Sequence, residues 1–209
     1  MIDVTHEISA GTRTVGSRTL AAGEARVVTI TRTYPTDLDD LWDACTTAGR
    51  IARWLGPVDG DLRPGGRYRL EGNAEGTVEH CDPPHGFSAT WEFGGEVSWI
   101  ELRLAPVDAV HTRFTLEHVA HVDDERWAEF GPGAAGVGWD LALLGLGLHL
   151  GDPAGRFDEE TWAASEEGRR FVAASGAAWF AADVVSGTDE AGARAAADRT
   201  ITFYSATPA

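Results

Sequence analysis

Lysine is absent; all 17 basic residues are arginine. No lysine Schiff base can form, and the phosphate-cradling text G-x-x-x-x-G-K cannot occur. Cysteine is scarce. Cys45 and Cys81 are too few for a disulfide framework and read as free thiols, with Cys45 buried on a helix. The first residues lack a basic stretch followed by an apolar run, so the expectation is a cytoplasmic protein without a leader. Positive charge is outweighed by 33 carboxylates, for a net charge of -16. A field of that sign repels phosphate backbones and anionic lipid, so neither nucleic acid nor a membrane surface is an expected partner. No long apolar run is uninterrupted. The longest, residues 134–150, contains Asp140 and four glycines and reads as a buried helix rather than a membrane span. No G-x-S-x-G occurs. The pairs Gly136/Gly138 and Gly145/Gly147 fall in that helix, not in a strand-to-helix dinucleotide loop.

What remains is a globular composition, 43% hydrophobic and 24% charged over 209 residues. Residues 1–24 are polar, an arm or an edge strand. Residues 26–34, RVVTITRTY, read as a strand that Pro35 stops. Thr36 or Asp37 then caps a short helix with Leu38, Leu41, Trp42 and Cys45 on one stripe. A second short helix holds Ile51, Trp54 and Leu55. Strands follow at 67–71, 76–80, 87–93, 97–104 and 112–122, parted by Gly, Pro, Asn and Asp turns, which predicts an antiparallel meander. By alternation Phe87, Ala89, Trp91 and Phe93 share a face, as do Phe114, Leu116, His118 and Ala120. A helical region begins at residues 123–125, breaks at 131–133 and continues as the long apolar helix. Residues 158–182 and 189–204 predict two further helices, with Thr188 as an N-cap.

Several texts, in this order, are similar to the START-like superfamily, also called SRPBCC. They are TYPTDLDDLWDACTTAGRIARWLGP (33–57), GDLRPGGRYRLEG (60–72), CDPPHGFSATWEF (81–93), TRFTLEHVAHVDDERW (112–127) and GWDLALLGLGLHL (138–150). Within it the sequence resembles homologues of the activator of the ninety-kilodalton heat-shock chaperone ATPase. The likeness spans about residues 24–151. It implies an α+β helix-grip fold, a curved antiparallel sheet around a long C-terminal helix with two short helices after the first strand. The domain expectation is therefore an arm (1–24), a START-like domain (25–151) and a helical extension (152–209) packed on it. The resemblance also implies a cavity between sheet and helix where relatives bind lipids, hormones or polyketides, and where some act as aromatase/cyclases.

A bent sheet closing on one helix leaves space for side chains or a ligand. The expected lining is Trp54, Tyr68, Trp91, Phe93, Trp99, Phe114, Leu116, His118, Trp139 and Leu143, each also open to a plain core-packing reading. His118 can orient a ligand hydroxyl or act as an acid/base, or be satisfied by a backbone carbonyl or Glu101. Arg69, with Glu71, Glu92 and Glu101 nearby in the strand pattern, either anchors a ligand carboxyl or lies on a solvated face. His80, Cys81 and His85 flank turn residues with no second cluster, so no metal and no cofactor are expected. Asp140 is left open between cavity and solvent. The expected function is binding of a small hydrophobic molecule. The alternatives are a polyketide aromatase/cyclase using His118 or Arg69, and a co-chaperone-like or homodimeric interaction protein.

Overall fold

The run of β-branched residues at 26–34 can hold only extended backbone comfortably. In the computed structural model, which describes residues 2–154 and 159–206, it lies in β2 (Gly23–Tyr34). Helix α1 (Val4–Ser9) and strand β1 (Gly11–Leu20) precede it, so the polar N-terminal segment is an edge strand with a short helix before it. Asp37 rather than Thr36 caps α2 (Leu38–Thr46), its carboxylate accepting from the Asp40 amide at 2.9 Å. A single turn, α3 (Ala48–Ile51), leads to β3 (Val58–Gly60). The meander continues through β4 (Arg67–Leu70), β5 (Glu75–Asp82), β6 (Gly86–Phe93), β7 (Glu96–Pro106) and β8 (Thr112–Ala120). Helices α4 (Asp124–Phe130), α5 (Gly133–Gly151), α6 (Glu159–Ala163), α7 (Glu166–Ser186) and α8 (Glu190–Ser205) complete the order.

The eight strands form one curved antiparallel sheet in the order β1-β2-β8-β7-β6-β5-β4-β3. Several elements differ from the sequence reading. Helix α1 and strand β3 are additional, and α3 ends at Ile51, so Trp54 and Leu55 fall in the turn after it. The helix expected over 158–182 is divided, because Ser165 accepts from the Gly168 amide at 3.1 Å and starts α7 afresh; Asp158 itself lies outside the described residues. Asp189, not Thr188, caps α8 by accepting from the Ala191 and Gly192 amides. The Thr188 hydroxyl donates instead to Asp183 Oδ1 at 2.8 Å.

The chain gathers into two compact units. The first comprises residues 1–30, 121–141 and 158–209, the second residues 31–120 and 142–157; β2 and α5 run through both. In the first unit α7 packs against α8, β1 and α1, and α4 against α8. Gly136 lets the Trp179 indole lie on α5, since a Cβ there would fall 2.2 Å from its ring. In the second unit α2 packs on β7 and α3 on β3. There Tyr34 donates its hydroxyl to the Leu143 carbonyl at 2.9 Å, and a Cβ on Gly145 would fall 2.7 Å from the Trp54 carbonyl. The second half of α5 is thus held against the end of β2 and the turn after α3, an approach that only glycine allows. By length and composition α5 could cross a membrane, yet 61% of its apolar window is buried, as in a core helix.

Candidate functional site

The register of β6, β7 and β8 places side chains in rows across the sheet of the second unit. Phe87, Leu102 and Leu116 share one row; Ala89, Ile100 and His118 the next; Trp91, Ser98 and Ala120 the third. These rows lie on the inward face, which α2 covers through an edge contact of Trp42 on Phe87, ring centres 6.5 Å apart. Tyr34 meets Phe114 the same way at 6.1 Å. Phe114, Leu116 and Leu143 are 3%, 4% and 1% exposed, so they are core residues of this unit. Burying each is worth about 1.5–3 kcal/mol. Trp54 is also core: its indole N–H donates to the Ala44 carbonyl at 3.0 Å and ties the turn after α3 to α2.

Towards the third row the face opens. Trp91, Ser98 and His118 are only half-buried. The Ser98 hydroxyl donates to the Trp91 carbonyl at 3.0 Å, and its oxygen lies 2.8 Å from His118 Nε2. With the hydroxyl hydrogen directed at the carbonyl, the bond to the imidazole has Nε2–H as donor. Burial pushes the His118 pKa down to about 4, so the ring is neutral at pH 7. Trp91 meets it edge-on, ring centres 6.4 Å apart. Tyr68, buried on β4, donates its hydroxyl to the Thr90 carbonyl at 2.7 Å, and burial raises its pKa.

Four expected site residues belong elsewhere or at the rim. Phe93 is on the inward face by alternation but at the strand end, 60% exposed, so it can only be a rim. Trp99 sits in the row of Thr90 and Val119, on the opposite face from Ser98 and Ile100. Arg69 alternates with the buried Tyr68 and Leu70 and is exposed, which removes it from any inward chemistry. The outer face is where the strand charges pair: Arg67 with Glu92 at 3.1 Å, and Arg103 with Glu101 and Glu117. Trp139 is buried but belongs to the first unit.

The sequence reading missed the strongest polar centre of the first unit. Asp140, on α5, is buried and accepts from Arg13 Nη2 at 2.7 Å, Arg13 Nε at 3.0 Å, Ser175 Oγ at 2.5 Å and Trp179 Nε1 at 3.0 Å. The remaining Arg13 donors reach the Ile8 and Gly11 carbonyls. Such a saturated pair is a tie between segments rather than a reactive group. His149, on the last turn of α5 in the second unit, was also overlooked. Arg50 Nε donates to its Nε2 at 3.2 Å, and burial together with Arg50 and Arg53 holds its pKa low. A pocket among the described residues lies in the first unit, between α7, α8 and the turn before α5. Its volume is about 10 Å3, room for a single water, and none of the expected lining residues reaches it. Among the described residues no cluster of three metal-ligating side chains occurs.

The profile of the family described as "Activator of Hsp90 ATPase homolog 1-like protein" matches residues 35–150. This chain belongs to that family. No curated protein matches the sequence. CalU16 from Micromonospora echinospora is similar over most of the chain. Its crystal structure is 35% identical, with a TM-score of 0.67, over 83% of this chain and 98% of CalU16. Its solution structure gives 37% identity and a TM-score of 0.72 over 85% and 97%. That likeness runs well beyond residues 35–150, so CalU16 shares part of what lies outside the family profile. PFC0360w, an HSP90 activator from Plasmodium falciparum, shares the fold at 24% identity and a TM-score of 0.52, over 60% of this chain and 96% of its own. DynU16, from the dynemicin biosynthetic locus, shares it at 21% and 0.54, over 63% of this chain and 50% of its own.

Proposed function

We propose that this chain binds a small hydrophobic molecule, aromatic or polyketide-like, at the open end of the inward face formed by Trp91, Ser98 and His118, with Phe93 at the rim. The observation that carries the reading is the contrast along one face. Ala89, Ile100, Leu102 and Leu116 of its first two rows are buried core, while this end sets a half-buried indole edge-on to a half-buried, neutral imidazole. A flat aromatic guest gains area against Trp91 and can donate a hydrogen bond to the Ser98 oxygen, the usual division of labour in an apolar site. Entry requires the Trp91 and Phe93 side chains to swing aside. Membership of the family is consistent with a ligand in this region, and a co-chaperone role rests on the family description alone.

The geometry favours binding over cyclase chemistry. Ser98 directs its hydrogen to a carbonyl, and the imidazole donates to it rather than taking its proton, so the serine is not activated as a nucleophile. A ring held neutral at pH 7 is not a general acid, which leaves the cyclase reading only the base half of the role it needs.

Titration of the full chain with planar aromatic probes such as anthraquinone, followed by tryptophan fluorescence and by the NMR shifts of the His118 ring, tests the proposal. Saturable binding that weakens about ten-fold or more in Trp91→Ala and is unchanged in Trp99→Phe is expected. No saturable response, or equal binding by Trp91→Ala, sinks it.

A further inference from the structure

Asp183, in the last turn of α7, is 2% exposed. Its Oδ1 accepts from the Thr188 hydroxyl, and its Oδ2 points at the turn before α5, 3.6 Å from where a Cβ on Gly131 would lie. Among the described residues it has no ion pair. Arg26 acts on it only through its field, Arg194 is stacked on Phe180 with its guanidinium carbon 3.6 Å from the ring centre, and Arg199 donates to the Ala128 and Glu129 carbonyls. A buried carboxylate without a cation is costly. The position adds to that cost, because a helix C-terminus carries partial negative charge. Burial accordingly raises the Asp183 pKa.

The same carboxylate lines the water-sized pocket of the first unit. Phe130, Trp179 and Phe180 supply aromatic walls, and small residues such as Gly133 and Ala196 leave the space open. We propose that this pocket is a binding site for a primary ammonium group, with Asp183 as counter-ion. An ammonium is the size of a water. It donates a charge-assisted hydrogen bond to a carboxylate and is attracted to ring faces. A metal cation fits poorly, since calcium or magnesium needs about six oxygens. Thr200 Oγ1, the other polar side-chain atom at the pocket, is already donating to the Phe130 carbonyl at 2.8 Å. The guest is therefore an amine: a free ammonium ion or the terminal amino group of a small molecule whose remainder stays in solvent. This site and the Trp91 site lie in different units, so either proposal can fail alone.

The test uses the full chain, titrated with ammonium chloride and methylammonium chloride at constant ionic strength, with sodium and tetramethylammonium chlorides as controls. The readouts are the amide shifts of Gly131 and Gly133 and the carboxyl carbon shift of Asp183. Saturable shifts with the two small ammonium ions, at least about ten-fold tighter than with sodium or tetramethylammonium, are expected. Asp183→Asn and the space-filling Ala196→Val both lose them. Equal responses to sodium, retention in Asp183→Asn, or an Asp183 carboxyl that stays protonated at pH 7 and ignores added ammonium overturns the proposal. The wild-type titration stands even if a variant fails to fold.

Discussion

The two units solve the problem of a buried polar group in opposite ways. In the first, Asp140 is saturated by four hydrogen bonds, two from Arg13 near one end of the sequence and one each from Ser175 and Trp179 on α7. In the second, His118 gives up its charge and shares one serine at the partly open end of a sheet face. The saturated centre has no capacity left for a guest and serves as a tie. The neutral ring stays half-covered beside an indole. Burial alone therefore does not mark a functional group; a polar group beside accessible apolar surface does.

The largest effect should come from breaking the tie on one side only. Asp140→Ala strands the Arg13 guanidinium and is expected to lower unfolding stability by about 3–5 kcal/mol in urea denaturation. The double variant Arg13→Met with Asp140→Leu should cost less than Asp140→Ala alone, because no charge is left unpaired. If the double variant is the worse of the two, the centre contributes more than charge compensation.

The second unit should reveal itself through pH. The folded pKa values of His118 and His149 lie below the ordinary 6.5, so the unfolded chain takes up protons first as pH falls. Both contributions are present above pH 6.5 and are lost as pH falls below it, for His118 on the way down to about 4. For His118 the loss is on the order of 3 kcal/mol at most. Thermal melts of His118→Gln should show a flatter slope over that window, and an unchanged slope contradicts the neutral ring. Smaller again is Gly136→Ala, where the new Cβ meets Trp179; about 1–3 kcal/mol is expected. The smallest is Tyr34→Phe, which removes the bond to the Leu143 carbonyl and should cost about 1 kcal/mol by the same denaturation assay.

Much of the fold was legible because strand and helix periods are local. Alternation put Phe114, Leu116 and His118 on one face, and the glycines of residues 134–150 announced close approach. Strand β3 was not visible, since three residues with one apolar side chain carry no period; only pairing with β4 defines it. The site was less legible. Alternation tells which face Phe93 and Arg69 occupy but not where a strand end passes into solvent or which face is covered. Ser98 could have been found, as it shares period two with Ile100 and Leu102. Nothing local could have joined Arg13 to Asp140, 127 residues apart, or shown that Asp183 has no ion pair among the described residues.

The bond between Arg13 and Asp140 also sets an order of events during synthesis. Arg13 leaves the ribosome long before its carboxylate exists, and Ser175 and Trp179 emerge later still. The edge strand that carries Arg13 must therefore wait, with an unmatched charge, until residue 140 has been made. A nascent chain stopped short of that residue would hold β1 by its pairing with β2 alone.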